Sequence, residues 1–191
     1  EKFNTRLDAA NLRSVKSVTW RTTHLERPVL TAKQGRNRDL FPDIARIYIP
    51  DGGRVLDMTY GKGGFWTPEA EARYQLIRND IVVEGADTHY DLRCTPFEDA
   101  SFDAVVLDPP YAKRSGPPVK ASIANVYQLG HESGPQNPQE IASLYIDGVK
   151  EARRILKPRG VLILKCQDEI ESGKQRWNHV TYLNLDGFVC E

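Results

Sequence analysis

The residues best suited to chemistry are Asp108-Pro109-Pro110-Tyr111, which directly follow the apolar run Ala104-Val105-Val106-Leu107. A run of that kind reads as a strand buried on both faces, as in a parallel sheet. Two consecutive prolines lack N–H groups and fix φ near −65°, so the strand cannot continue through them. The result is a stiff corner at the carboxyl end of a strand, where open α/β sheets place ligands. The corner offers a carboxylate, backbone carbonyls and an aromatic ring. A flat base with an exocyclic amine fits such a set: the acceptors take its N–H protons and the Tyr111 ring stacks on it. An ordinary strand exit with a helix-capping acid would give the same four residues.

A second landmark lies upstream. The strand Arg54-Val55-Leu56 runs into Asp57-Met58-Thr59-Tyr60-Gly61-Lys62-Gly63-Gly64, then Phe65-Trp66 and Thr67-Pro68-Glu69. Glycines tolerate unusual φ and let a backbone approach a ligand closely. Thr67-Pro68 reads as an N-cap with proline in the first turn of a helix. Strand, glycine turn and helix form the layout of a nucleotide-type binding turn. Neither G-x-G-x-x-G nor the Gly-Lys-Ser/Thr ending of a P-loop is present. An acid before the turn disfavours a phosphate and favours a cationic or hydroxyl-bearing ligand. A ribose-binding acid is expected about 20 residues past such a turn. Asp80 is preferred for it, at the end of a strand over Tyr74–Ile77; Asp87 competes, since Ile81-Val82-Val83 could be the strand instead.

These landmarks need a sheet to carry them, and the chain supplies one. Its 191 residues are enough for one domain with a substantial core, with 40% hydrophobic and 27% charged residues and zero net charge. Any contact with a polyanion must then come from local patches. No apolar run approaches the ~20 residues of a membrane span, and Glu1-Lys2-Phe3-Asn4 does not open a signal peptide. Cys94, Cys166 and Cys190 lack C-x-x-C spacing, which argues for a reducing compartment and against a zinc site. No metal ligand set is assigned.

Residues 1–39 form a basic N-terminal arm, and a helix is expected over Leu40–Ile49. After Tyr111 the stretch 112–138 is polar and rich in turn residues, with Lys113, Arg114 and Lys120 as candidate backbone contacts. So long a connection in a compact domain is often functional. Pro138–Leu156 has the spacing of an amphipathic helix, broken by Pro158-Arg159-Gly160 before a strand at Val161–Leu164. One more helix is expected over Gln175–Leu185, and a further strand from Gly187.

Taken together, the glycine turn and the Asp-Pro-Pro-Tyr corner make residues 40–185 resemble the S-adenosylmethionine-dependent amino-methyltransferases of DNA. That family methylates adenine N6 or cytosine N4. Its cofactor motif more usually reads Asp-Pro-Phe-x-Gly-x-Gly, so Met58-Thr59-Tyr60 is a departure. Thr95-Pro96-Phe97, Ser101-Phe102-Asp103 and Leu156-Lys157-Pro158-Arg159-Gly160-Val161 are similar to stretches common in methyltransferases of this fold.

The resemblance implies a Rossmann-like class I methyltransferase sheet over residues 40–191. The sheet would be mostly parallel with helices on both faces, ending before that fold's final C-terminal hairpin. It implies S-adenosyl-L-methionine as methyl donor. Asp57, Met58, Thr59, Tyr60, Gly61, Gly63 and Gly64 would lie at the donor's amino-acid end, with Asp80 on its ribose and Asp91 and Cys94 near its adenine. Cys94 is expected to be a buried, inert thiol. Asp108, Pro109, Pro110 and Tyr111 would act on a base flipped from duplex DNA, adenine favoured over cytosine. Other subunits of a modification system are possible partners, and a cytoplasmic, prokaryotic or phage-encoded enzyme is the expected setting. Carbon-5 cytosine methylation is disfavoured, because it needs a cysteine nucleophile, usually after a proline, whereas Cys94 and Cys166 follow Arg93 and Lys165. Two alternatives stay open: an RNA base amino-methyltransferase, and a catalytically silent subunit that only binds nucleic acid.

Overall fold

The computed structural model describes residues 34–110, 138–171, 173–183 and 187–189. The chain divides into the units Glu1–Lys33 and Gln34–Glu191, the first of which lies outside the described residues. The second contains α1 (Asn37–Tyr48), β1 (Arg54–Asp57), α2 (Pro68–Glu71), β2 (Gln75–Arg78) and β3 (Phe102–Leu107). Then follow α3 (Pro138–Ile155), β4 (Leu156–Leu164), the short strands β5 (Glu169–Glu171) and β6 (Lys174–Arg176), and α4 (Asn178–Leu183). Strands β1–β4 make one parallel sheet in the order β2-β1-β3-β4. The strand order reverses between β1 and β3, and open α/β sheets bind ligands at such a switch point.

Strand alternation sorts the core into two layers. Val55, Ala104 and Val106 face Phe41, Ala45 and Ile49 of the α1 region, together with Phe65, Trp66, Ala70 and Tyr74. On the other face Leu56, Met58, Val105 and Leu107 pack against Val149, Ala152 and Ile155 of α3. The first layer is aromatic: Phe41 lies 5.0 Å from Phe65 and 4.7 Å edge-on from Trp66, ring centre to ring centre. Strands β1 and β3 are therefore covered on both sides, which is why they read as unbroken apolar runs.

The α1 helix begins earlier than its apolar spacing predicts. Asp39 closes back on the Arg36 backbone N–H at 3.2 Å and on its guanidinium, capping a turn that carries few apolar residues. Strand β4 also begins early, at Leu156 rather than Val161. The turn-forming residues Pro158-Arg159-Gly160 are absorbed as a bulge: the β3–β4 register shifts between Phe102 and Ala104, and Arg159 has φ +65°. The last helix starts later than expected, at Asn178, because β5 and β6 pair as an unforeseen antiparallel hairpin before it. Residues 187–189 form no strand.

Gly148 shows how tightly α3 lies on the sheet. A Cβ there would come within 2.7 Å of Leu92 Cδ1 and 3.3 Å of Leu107 Cδ2. Gly148→Val is expected to cost about 1–3 kcal/mol through overpacking, read as a lower urea midpoint. An unchanged midpoint would mean that α3 does not press on β3.

Candidate functional site

The two landmarks meet at the carboxyl ends of β1 and β3. The ladder pairs Asp57 with Val106, and the Met58 N–H donates to the Val106 carbonyl at 2.9 Å. One step further, the Asp108 N–H donates to Thr59 Oγ1 at 2.7 Å. Thr59 is one of the residues by which the turn departs from the pattern Asp-Pro-Phe, and its hydroxyl is what joins the turn to the acid corner.

Asp57 is fully buried, with each oxygen taken: Oδ1 by the Thr59 N–H at 3.0 Å and Oδ2 by the Trp66 indole N–H at 2.7 Å. It braces the turn from beneath and presents no free face to a ligand. Burial pushes its carboxyl up to about 7; the two hydrogen bonds oppose the shift, and the nearby Asp108 and Asp80 charges add to it. A carboxyl raised in the native state binds protons that the unfolded chain has released, so stability falls as pH rises from about 4 through about 7. The urea midpoint is expected to drop between pH 5 and pH 8, and Asp57→Asn is expected to flatten part of that drop. Asp108, also raised, supplies a residual slope of the same sign. An identical slope in the variant would contradict the assignment.

Gly61 and Gly63 have φ of +56° and +70°, and both are buried, whereas Lys62 and Gly64 are exposed. A Cβ on Gly63 would stand 2.7 Å from the Tyr60 hydroxyl, which is held by Glu71 Oε1 at 2.9 Å. The turn is thus closed on itself by Tyr60.

Asp80 follows β2, as expected, and anchors the same turn. Its Oδ2 accepts from the Gly61 N–H at 3.0 Å, and its Oδ1 accepts from Val82 and Val83 N–H groups at 2.9 Å. Oδ2 keeps capacity for one more donor, since a carboxylate oxygen accepts two. Asp87 is turned away to Arg78, pairing with its guanidinium at 2.7 Å and its N–H at 2.9 Å. Between them Asn79, fully buried, donates to the Met58 and Tyr90 carbonyls and accepts from Thr88 and Tyr90. It fastens the glycine turn to the 88–90 segment.

Asp91 is half-buried and forked with Arg93 at 2.6 Å, which holds its carboxyl below the ordinary range. Cys94 is exposed, correcting the expectation of a buried thiol; its N–H donates to the Asp91 carbonyl in a tight turn that leaves the side chain outside. The loop is fixed one residue later, where Thr95 donates to the buried Glu151 of α3, itself held by Arg154.

At the acid corner, Pro109 is buried and Pro110 half-buried. The Asp108 carboxylate receives Lys165 Nζ at 3.0 Å and 3.2 Å, one distance to each oxygen. Burial pushes the Asp108 carboxyl up despite the Lys165 charge beside it. From α3, the buried Tyr145 hydroxyl reaches the Lys165 carbonyl at 3.2 Å and the Pro109 carbonyl at 3.4 Å. Its single proton serves one of them at a time. Tyr111, Lys113, Arg114 and Lys120 lie outside the described residues.

Sequence reasoning missed Lys165, Trp66, Asn79 and Tyr145. The signal for Lys165 was available only through register: it is the first residue after a strand whose neighbour ends at Leu107, so it stands level with Asp108. Among the described residues no group of His, Cys, Asp and Glu is arranged to hold a metal ion, and no helix is long and apolar enough to cross a membrane. No protein-family model matches the chain, and no curated protein matches it significantly.

Proposed function

We propose that this chain transfers a methyl group from S-adenosyl-L-methionine to the exocyclic amine of a flipped base in DNA, adenine N6 in preference to cytosine N4. The observation that carries the proposal is the side-by-side placement of the glycine turn and the Asp108-Pro109 corner, joined through Thr59. The fold it invokes is the Rossmann-like class I methyltransferase sheet, of which the parallel order β2-β1-β3-β4 would be the part nearest the site.

The turn's chemistry fits this donor. The Asp80 and Asp108 carboxylates lie close enough to Asp57 to add to the rise of its carboxyl, a setting hostile to a phosphate and favourable to sulfonium and ammonium charge. When bound, the donor supplies an electrophilic methyl on sulfur. Gly61 and Gly63 let the main chain approach it, with Met58, Thr59, Tyr60 and Gly64 completing the turn. Asp80 Oδ2 would take a ribose hydroxyl, and Asp91 and Cys94 would flank the adenine. Asp57 acts one layer down, by holding Thr59 and Trp66.

A base amine buried in a duplex cannot be reached in line, so the target must be flipped out. Asp108 and the Pro109 carbonyl would accept its two N–H protons, drawing the nitrogen lone pair out of conjugation and aiming it. Tyr111 would stack on the ring, an interaction worth about 1–3 kcal/mol in single-strand binders. Positioning and electrostatics then carry the rate. The basic residues Lys113, Arg114 and Lys120 are assigned to the nucleic-acid backbone. Supplying labelled donor with duplex DNA or with RNA tests the substrate class: label in DNA is expected, and label in RNA alone would overturn it.

A further inference from the structure

Lys165 belongs to neither motif, yet it is the one cation that the fold brings onto the acid corner among the described contacts of Asp108. Its place is dictated by the parallel ladder. Leu107 pairs with Leu164, and the Lys165 N–H donates to the Leu107 carbonyl at 2.9 Å, so residues 108 and 165 leave adjacent strands at the same level. The ammonium bridges both Asp108 oxygens at 3.0 and 3.2 Å. It also lies 5.8 Å from the centre of the Phe65 ring, directly after the glycine turn, within the range of a cation–π contact. From below, the Tyr145 hydroxyl lies within reach of the Lys165 and Pro109 carbonyls and donates to one of them at a time, and Tyr182 stacks on Tyr145 at 4.4 Å.

We propose that Lys165 is a positioning residue for the transfer: its ammonium holds the Asp108 carboxylate ionised and in one orientation, ready to accept the target amine. This rests on the methyltransferase function proposed above. A carboxyl as enclosed as Asp108 is pushed toward its neutral form, in which one oxygen becomes a donor and loses its use as an acceptor for an N–H. Lys165 opposes that drift. Among the described residues, the other groups facing the corner do not replace it. Asp57 on β1 is acidic and repels the Asp108 charge, the Cys166 thiol beside it is itself raised by burial, and the Tyr145 hydroxyl from α3 is neutral and turned to carbonyls. Each carboxylate oxygen bonded to Lys165 still has room for a second donor, so amine and ammonium can be held together.

The test compares wild type with Lys165→Met and Lys165→Arg. For kcat/KM on unmodified duplex DNA, the acidic limb is expected to move up by about 1 pH unit or more in Lys165→Met, as befits loss of an adjacent opposite charge. Lys165→Arg is expected to restore it, with donor affinity within about 3-fold throughout. A lysine serving only to hold β4 in place would lower stability without moving the limb. The Asp108 carboxyl is followed separately, without substrate, by 13C NMR titration of wild type and Lys165→Met. The same upward shift is expected there, and coincident curves overturn the inference. If wild type methylates no nucleic acid, the proposed function fails, whereas the titration still decides what Lys165 does to Asp108. If Lys165→Met does not fold, Lys165→Gln takes its place in both measurements with the same expected outcomes.

Discussion

Asp108→Ala is expected to lower methyl transfer by about 10²- to 10³-fold or more, while donor affinity stays within a few-fold of wild type. The magnitude is that of removing one preorganised polar group from a reacting centre. The asymmetry between the two readouts follows from geometry. The hydrogen bond by which Asp108 joins the glycine turn comes from its main-chain N–H, which bonds Thr59, and alanine keeps that N–H. What is lost is the carboxylate alone, and with it the ion pair to Lys165. Lys165 is only partly buried, with its side chain 33% exposed, so water can solvate the ammonium and the fold is expected to persist. Equilibrium dialysis with labelled donor and a single-turnover assay on duplex DNA separate the effects. Undiminished turnover would remove Asp108 from the mechanism, and lost donor binding would place it in the donor site instead.

Gly63→Val is expected to do the reverse. At φ +70° a β-branched residue is strained by about 1–3 kcal/mol. Its Cβ would also stand 2.7 Å from the Tyr60 hydroxyl, which must then release Glu71. The turn has to open, and donor affinity is expected to fall by about 10- to 100-fold, in line with that strain. The Asp108–Lys165 pair, just past the ends of β3 and β4, is not among the atoms nearest that Cβ. Turnover at saturating donor should therefore recover much of the loss that appears at low donor. A variant with normal donor affinity would show that the glycine turn is structural only.

The two corners were legible in the sequence because both are made of residues with unusual backbone rules. Paired prolines stop a strand wherever they fall, and Gly61 and Gly63 mark positive φ without reference to the rest of the chain. The helix ending at Ile155 was equally plain, since one apolar stripe meets one sheet face. The connections between corners were not legible. That Thr59 would reach Asp108, or Lys165 stand beside it, depends on strand order and register across 49 and 57 residues of chain. Nothing local encodes either.

Asp57 illustrates a different limit. An acid before a glycine turn suggests ligand contact, but the indole N–H of Trp66 and the N–H of Thr59 claim its oxygens. An aromatic nine residues downstream gives no sign in sequence that it will turn back. In the same way Cys94, with no base nearby in sequence to stabilise a thiolate, reads as a buried inert thiol, yet the tight turn from Asp91 carries it to the surface. Pro158-Arg159-Gly160 has the composition of a break, and β4 accepts it as a bulge because Phe102 and Ala104 on the partner strand shift register to match.

Under the proposed function, Asp108 and the glycine turn act on one methyl group between them. The most direct measurement is nucleoside analysis of unmodified duplex DNA after incubation with the protein and labelled S-adenosyl-L-methionine. Labelled N6-methyladenine is expected with wild type and none above background with Asp108→Ala. Label found only as 5-methylcytosine, or equal label from both proteins, would contradict it.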